Sequence, residues 1–142
     1  GAGPIGIMSA AICRHVGARH VVLTDFNDYR LKLAEKITTL TTVNLKKDSL
    51  KEAMSRLKMK EGFDICLEMS GQEAAFNDIL QTINYGGTVS TLGIFSKNLN
   101  LDWNQVIFKS LTLKGIYGRE IFDTWYKMTS LIKSGLNLKP LS

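Results

Sequence analysis

The chain opens on Gly1-Ala2-Gly3-Pro4-Ile5-Gly6, and glycines at this spacing admit few folds. In a G-x-G-x-x-G loop the first glycine permits a tight turn out of a strand. The second lets main chain approach a diphosphate, and the third lets helix and strand pack closely. The helix that starts there aims N–H groups and a partial positive charge at the anion. Pro4 suits the first helical turn, where its missing N–H costs nothing. Alone the motif is weak, because glycine-rich turns are common. Its meaning depends on the residues downstream.

Beyond Gly6 the chain alternates short β-branched runs with amphipathic stretches, the pattern of parallel βαβ units. Ile5, Ile7, Met8, Ala11, Ile12 and Val16 recur at helical spacing up to Gly17, a stop signal. Residues 20–24 read as a strand, and Asn27 as the cap of a helix carrying Leu31, Leu33, Ala34 and Ile37. Residues 41–45 read as a shorter strand. Asp48 is placed to cap a helix with Leu50, Met54 and Leu57 on one face, and 63–68 is a further strand. Ser70-Gly71-Gln72-Glu73 has capping-box form ahead of a helix with Ala75, Phe76, Ile79, Leu80 and Ile83. Gly86-Gly87 reads as a turn into a strand over 88–92. Asp102 starts a short helix, 111–116 forms the last strand, and 122–132 is a helix ended by Gly135. Trp125, Tyr126 and Met128 are expected in the core.

The expected fold is α/β, a doubly wound parallel sheet of Rossmann type forming one domain over residues 1–142. In such a sheet the glycine loop follows the first, central strand. Nothing precedes Gly1 here, so that strand is expected to be missing from the chain and supplied by upstream residues.

Asp25 lies 25 − 6 = 19 residues beyond the third glycine, at the end of the next strand. A carboxylate there can accept both hydroxyls of an adenosine ribose and would repel a 2′-phosphate, which favours NAD over NADP. The alternative is a plain turn residue, weighed down by the glycines and the strand around it. Arg30, one helical turn on, is in range of the adenosine or a phosphate. Glu68-Met69-Ser70-Gly71 and Leu92-Gly93-Ile94 close two strands whose carboxyl ends should face a ligand. Gly93 would let main chain approach the nicotinamide ribose, though ordinary turn chemistry fits the same residues. Ser70 reads first as a helix cap and Glu68 as a satisfied structural carboxylate. Ile116-Tyr117-Gly118-Arg119 offers main-chain groups for the nicotinamide carboxamide and Arg119 for the pyrophosphate, or else a strand end with a surface arginine.

Composition narrows the partners. The formal charge of +5 raises the question of nucleic acid, but the basic residues are dispersed and Lys46-Lys47 is their longest run. No basic stripe interleaved with aromatics is present. No apolar run approaches the roughly 18 residues of a membrane span. Cys13 and Cys66 sit in apolar patterns and fit a reducing cytosol, while His15 and His20 flank a turn at the surface. No zinc spacing and no catalytic set appears in this segment, so its task is to bind and orient a cofactor. Two competing readings are a non-catalytic dinucleotide-sensing module and a methyltransferase. The full motif with Pro4 disfavours the second.

Residues 1–36, then GFDICLEMSG, LGIF and DWNQVIFKSLTLKGIYGREIFDTWYKM, resemble the cofactor domain of the medium-chain, zinc-dependent dehydrogenase family over nearly the whole chain. IYGRE with TWYKM is the most discriminating part of the resemblance, because polyol and alcohol dehydrogenases share the glycine loop but generally lack these words. Ile37-Thr38-Thr39-Leu40 departs from the family's usual Gly-Ala step. The resemblance implies oxidation of the 3-hydroxyl of L-threonine to 2-amino-3-ketobutyrate, a step of threonine catabolism, with hydride passing to NAD. It also implies a catalytic zinc that polarises the hydroxyl, held by a separate domain upstream of Gly1. Residues 1–142 alone are therefore expected to be inactive. Carried over by motif, the cofactor contacts are Gly3, Pro4 and Ile5 at the pyrophosphate, in the cofactor loop bounded by Gly1 and Gly6, and Asp25 and Arg30 at the adenosine ribose. Leu92, Gly93, Ile94, Ile116 and Tyr117 fall around the nicotinamide end. The resemblance further implies a cytoplasmic tetramer whose subunits pair through Leu111–Ile116. The alternative within the family is another zinc-type polyol or alcohol dehydrogenase.

Overall fold

The alternating segments resolve into helices and parallel strands in the computed structural model, which describes residues 1–141. In chain order these are α1 (Pro4–His15), β1 (Val22–Asp25), α2 (Asp28–Ile37), β2 (Thr41–Asn44), α3 (Leu50–Arg56) and β3 (Phe63–Glu68). They continue with α4 (Glu73–Thr82), β4 (Ile83–Thr91), α5 (Trp103–Phe108), β5 (Thr112–Gly115) and α6 (Asp123–Lys133). They form two compact units, one of residues 1–49 with the chain from Gly118 onward, the other Leu50–Tyr117.

In the first unit β1 and β2 pair in parallel from Val22 opposite Thr41 to Asp25 opposite Asn44. Ala2, Ile7 and Ala10 meet Leu23, Leu31 and Ala34 in one apolar cluster, so α1 and α2 each bury one face. Ile7, Leu23 and Leu31 contribute about 1.5–3 kcal/mol each by leaving water. The small side chains of Ala10 and Ala34 allow close packing within that cluster. Asn27 Oδ1 accepts from the N–H groups of Tyr29 at 2.9 Å and Arg30 at 3.2 Å, as its position before α2 predicts.

In the second unit β3, β4 and β5 form a parallel sheet in that order. Cys66, Val89 and Val106 meet Phe76, Ile79, Leu80 and Ile83 in its core. Asp102 caps α5 by accepting from Asn104 N–H at 3.1 Å. Lys109 reaches back to donate to the carbonyls of Leu80 at 2.6 Å and Ile83 at 3.2 Å, placing a cation at the C-terminus of α4.

A doubly wound sheet of strand order 3-2-1-4-5-6 that lacks strand 1 leaves one pair and one triplet. The two sheets have those neighbours, and no strand precedes α1 among the described residues. No helix among them is long and apolar enough to cross a membrane.

Three local expectations are corrected. The capping box at Ser70–Glu73 does not form: α4 begins after Gln72 with no side-chain cap, because Ser70 Oγ is engaged by Glu68 and by Gln72 N–H. Gly86-Gly87 is not a turn before a strand, since β4 already starts at Ile83 and runs through both glycines. A Cβ on Gly87 would overlap the Ile83 side chain, which explains a glycine inside a strand. Finally, Trp125, Tyr126 and Met128 lie in α6 as expected but are exposed, and α6 buries no residue. Periodicity tells which side chains share a face, and it is silent on whether that face is covered.

Candidate dinucleotide site

The opening turn is built around two close approaches. A Cβ on Gly6 would collide with the main-chain carbonyl of Gly1, so the third glycine is the only residue that lets α1 leave this turn. Ala2 is buried, and its N–H donates to Asp25 Oδ2 at 2.7 Å. That bond ties the glycine turn to the end of β1. Gly3 caps α1 with no side-chain hydrogen bond, and the first turn carries no acidic residue. A Cβ on Gly3 would touch nothing, so the space before the helix is open. Pro4 occupies the start of α1, as the sequence predicts, and Ile5 is exposed beside it.

Asp25 is mostly buried, its side chain 12% exposed. Partial burial alone would raise its carboxyl. The N–H donors of Ala2, Asn27 and Phe26, together with the Arg30 charge, outweigh that and hold it below the usual carboxylate range. Asn27 N–H lies 2.9 Å from Oδ1, and the Arg30 guanidinium 4.0 Å from Oδ2. A carboxylate has about four lone-pair sites, so three main-chain donors leave capacity for roughly one more strong bond. The structure thus brings Gly1, Gly3, Pro4, Gly6, Asp25 and Arg30 together in one unit.

The second unit holds the remaining residues. Leu92 and Gly93 N–H groups donate to the Glu68 carbonyl at 2.8 and 3.1 Å, joining the end of β4 to the end of β3. Ile94 comes next with its side chain exposed. Ile116 N–H donates to Thr91 carbonyl at 2.9 Å, extending the β4–β5 ladder, and Tyr117 beyond it is 95% exposed. The Glu68 side chain is fully buried and accepts from Ser70 and Gly71, which bears out its reading as a satisfied structural carboxylate. Arg119, considered for the pyrophosphate, stacks over Trp125 in the other unit, 5.8 Å from the ring centroid. A groove of about 380 Å³ lined by Lys51, Gln81, Asp102 and Lys109 among others holds none of these residues.

One contributor escapes the sequence, and a second is placed at the right strand end without its contact. Ala2 is an unspecified position of the motif, and it is its N–H that reaches Asp25. Gly71 adopts a left-handed φ of 67°, and a Cβ there would strike the main chain of Ile94. Its place right after a strand end, in register with another glycine loop, is the available signal.

The residues of the opening turn fit the diphosphate of a dinucleotide: an open helix start, a glycine that admits close approach, and an adjacent carboxylate held in place. Zinc finds no such fit, because no group of three or more His, Cys, Asp or Glu side chains converges among the described residues.

The chain is 60% identical to the L-threonine 3-dehydrogenase of Shewanella woodyi and 61% identical to that of Edwardsiella ictaluri, over 141 residues. Each match covers 99% of this chain and 41% of the relative, so the chain spans about two-fifths of their length. Among solved structures, 2R,3R-butanediol dehydrogenase from Bacillus subtilis superposes with a TM-score of 0.88 at 25% identity, over 99% of this chain and 40% of that one. An alcohol dehydrogenase from Thermotoga maritima gives 0.83 at 28% identity, over 96% and 38%. The zinc-binding dehydrogenase profile matches residues 4–134, running from the first turn of α1 through the end of α6. With its first helix, its acidic strand end and its parallel sheets all inside that match, the chain belongs to the zinc-binding dehydrogenase family.

Proposed function

We propose that residues 1–142 are the NAD-binding Rossmann domain of an NAD-dependent L-threonine 3-dehydrogenase, and that a separate zinc-binding domain of the longer protein carries the metal. The observation that supports cofactor binding most directly is the 2.7 Å bond from Ala2 to Asp25, which holds a carboxylate beside an open helix start. The 60% identity to L-threonine 3-dehydrogenases supplies the substrate. NAD, when bound, supplies the hydride acceptor. Gly1, Gly3, Ile5 and Gly6 present main-chain N–H groups to its diphosphate, and Pro4 sets the first turn of the helix beside it. Asp25 accepts from a ribose hydroxyl and disfavours a 2′-phosphate, and Arg30 lies beside it at the adenosine ribose. Leu92, Gly93, Ile94, Ile116 and Tyr117 present main chain and apolar surface to the nicotinamide half. The reaction proposed for the full protein is oxidation of L-threonine at its 3-hydroxyl to 2-amino-3-ketobutyrate, for which zinc held outside residues 1–142 would supply a Lewis acid. Copies pair through Leu111–Ile116 into a tetramer, which works in the cytoplasm.

Titration of the full-length protein with NAD, NADP and S-adenosylmethionine tests this. NAD should bind more tightly than NADP, S-adenosylmethionine should not bind, and L-threonine should drive NAD reduction. Asp25→Asn should weaken NAD binding by about tenfold or more, the size expected for one hydrogen bond to a charged group. Tighter binding of NADP would overturn the role given to Asp25. The likeness to butanediol dehydrogenase favours a second reading, a polyol or alcohol dehydrogenase of the same family. Faster turnover of 2,3-butanediol than of L-threonine would select it.

A further inference from the structure

Glu68 is a fully buried ionisable side chain with no part in the proposed cofactor contacts. It is 1% exposed at the end of β3. Its Oε1 accepts from the N–H groups of Ser70 at 2.8 Å and Gly71 at 3.1 Å and from Ser70 Oγ, and its Oε2 lies 3.2 Å from Gly71 N. Its main-chain carbonyl accepts from Leu92 and Gly93. One residue therefore grips two loops, the β3–α4 turn with its side chain and the segment after β4 with its backbone. The loops pack glycine against glycine. A Cβ on Gly93 would fall on Glu68 Oε2 and Gly71 N, and a Cβ on Gly71 would fall on the carbonyl of Ile94.

Burying a carboxylate is costly unless donors converge on it, and a neutral residue of similar size would often cost folding less. Here the donors are Ser70 and Gly71, and Gly71 is the residue packed against Gly93 and Ile94. An amide in place of the carboxylate would turn one oxygen into an NH₂ group, and a donor would then oppose the Gly71 N–H or, with the amide turned, the Ser70 N–H. The anion suits this geometry because it only accepts.

We propose that Glu68 is a positioning residue for the nicotinamide half of the cofactor, holding Leu92-Gly93-Ile94 in its binding geometry through Ser70 and Gly71. This inference rests on the reading of the chain as an NAD-binding domain. It differs in kind from Asp25, which acts on the adenosine half from the other unit.

The test compares full-length wild type, Glu68→Gln and Asp25→Asn, using NAD and 5′-AMP as separate probes. AMP carries the adenosine ribose and a phosphate but no nicotinamide. Glu68→Gln should weaken NAD binding by about tenfold, as expected for a disturbed bond to a charged group, with AMP affinity changed less than about twofold. Asp25→Asn should weaken both. If Glu68→Gln does not accumulate as folded protein, Ser70→Ala removes one donor and carries the same two readouts. Equal losses for NAD and AMP in the Glu68 or Ser70 variant would mean general loosening and overturn the proposal. So would unchanged NAD affinity alongside a loss in Asp25→Asn. Wild-type protein with no affinity for NAD would instead overturn the underlying reading, and this inference with it.

Discussion

The Asp25 carboxylate serves the turn before it serves any ligand, since Ala2, Asn27 and Phe26 already donate to it. Its folded value is depressed, so its contribution to stability is fully present above the unfolded value of about 3.9 and is lost as pH falls through the lower folded value. Thermal melts of wild type and Asp25→Asn should therefore differ by a constant margin near neutrality, and that margin should shrink below about pH 4. A gap that ignores pH through this window would mean that the charge of Asp25 adds nothing to folding. Gly6 works by having no side chain. Gly6→Ala must push the Gly1 carbonyl aside, and such overpacking costs about 1–3 kcal/mol. A lower melting temperature together with weaker NAD binding is the expected pair of results. An unchanged melting temperature would show that the turn yields freely.

Among the elements, pattern locates structure better than it ends it. The parallel strands, the Asn27 and Asp102 caps and the Gly135 stop are legible because each rests on local chemistry within a few residues. The Ser70 cap misleads because Glu68, two residues earlier, competes for the same hydroxyl. The start of β4 misleads because Gly86-Gly87 resembles a turn until Ile83 claims the space beside Gly87. Of the site, the glycines and Asp25 are legible from spacing, whereas the Ala2 N–H and the Gly71–Ile94 approach are main-chain contacts that no side-chain pattern announces. β5 invites a test at this scale. It is an edge strand of its sheet, and Ile116 N–H points toward β4, so by alternation the N–H of Gly115 points away from it. Gly115→Pro should spare the β4 ladder while removing a donor from the edge proposed to pair copies. Sedimentation should then report smaller assemblies than wild type, and an unchanged tetramer would place the subunit contact elsewhere.

Across the whole molecule, the two units keep separate cores and separate parts of the proposed task. The match to relatives runs through both, which is why the chain reads as one functional segment although it spans about two-fifths of their length. Buried in the second core is Cys66, whose thiol is pushed up to about 12 by burial and by the Asp64 charge, partly offset by Lys109. At pH 8 only about one such thiol in ten thousand is a thiolate, and the closed sheet shields even that. Its sulfur is in effect a clock sealed inside the protein. Under a disulfide reagent, half-buried Cys13 should react first, and Cys66 should wait for β3 to open. If the second reaction slows when NAD is added, the time it records is the time the cofactor holds that sheet shut.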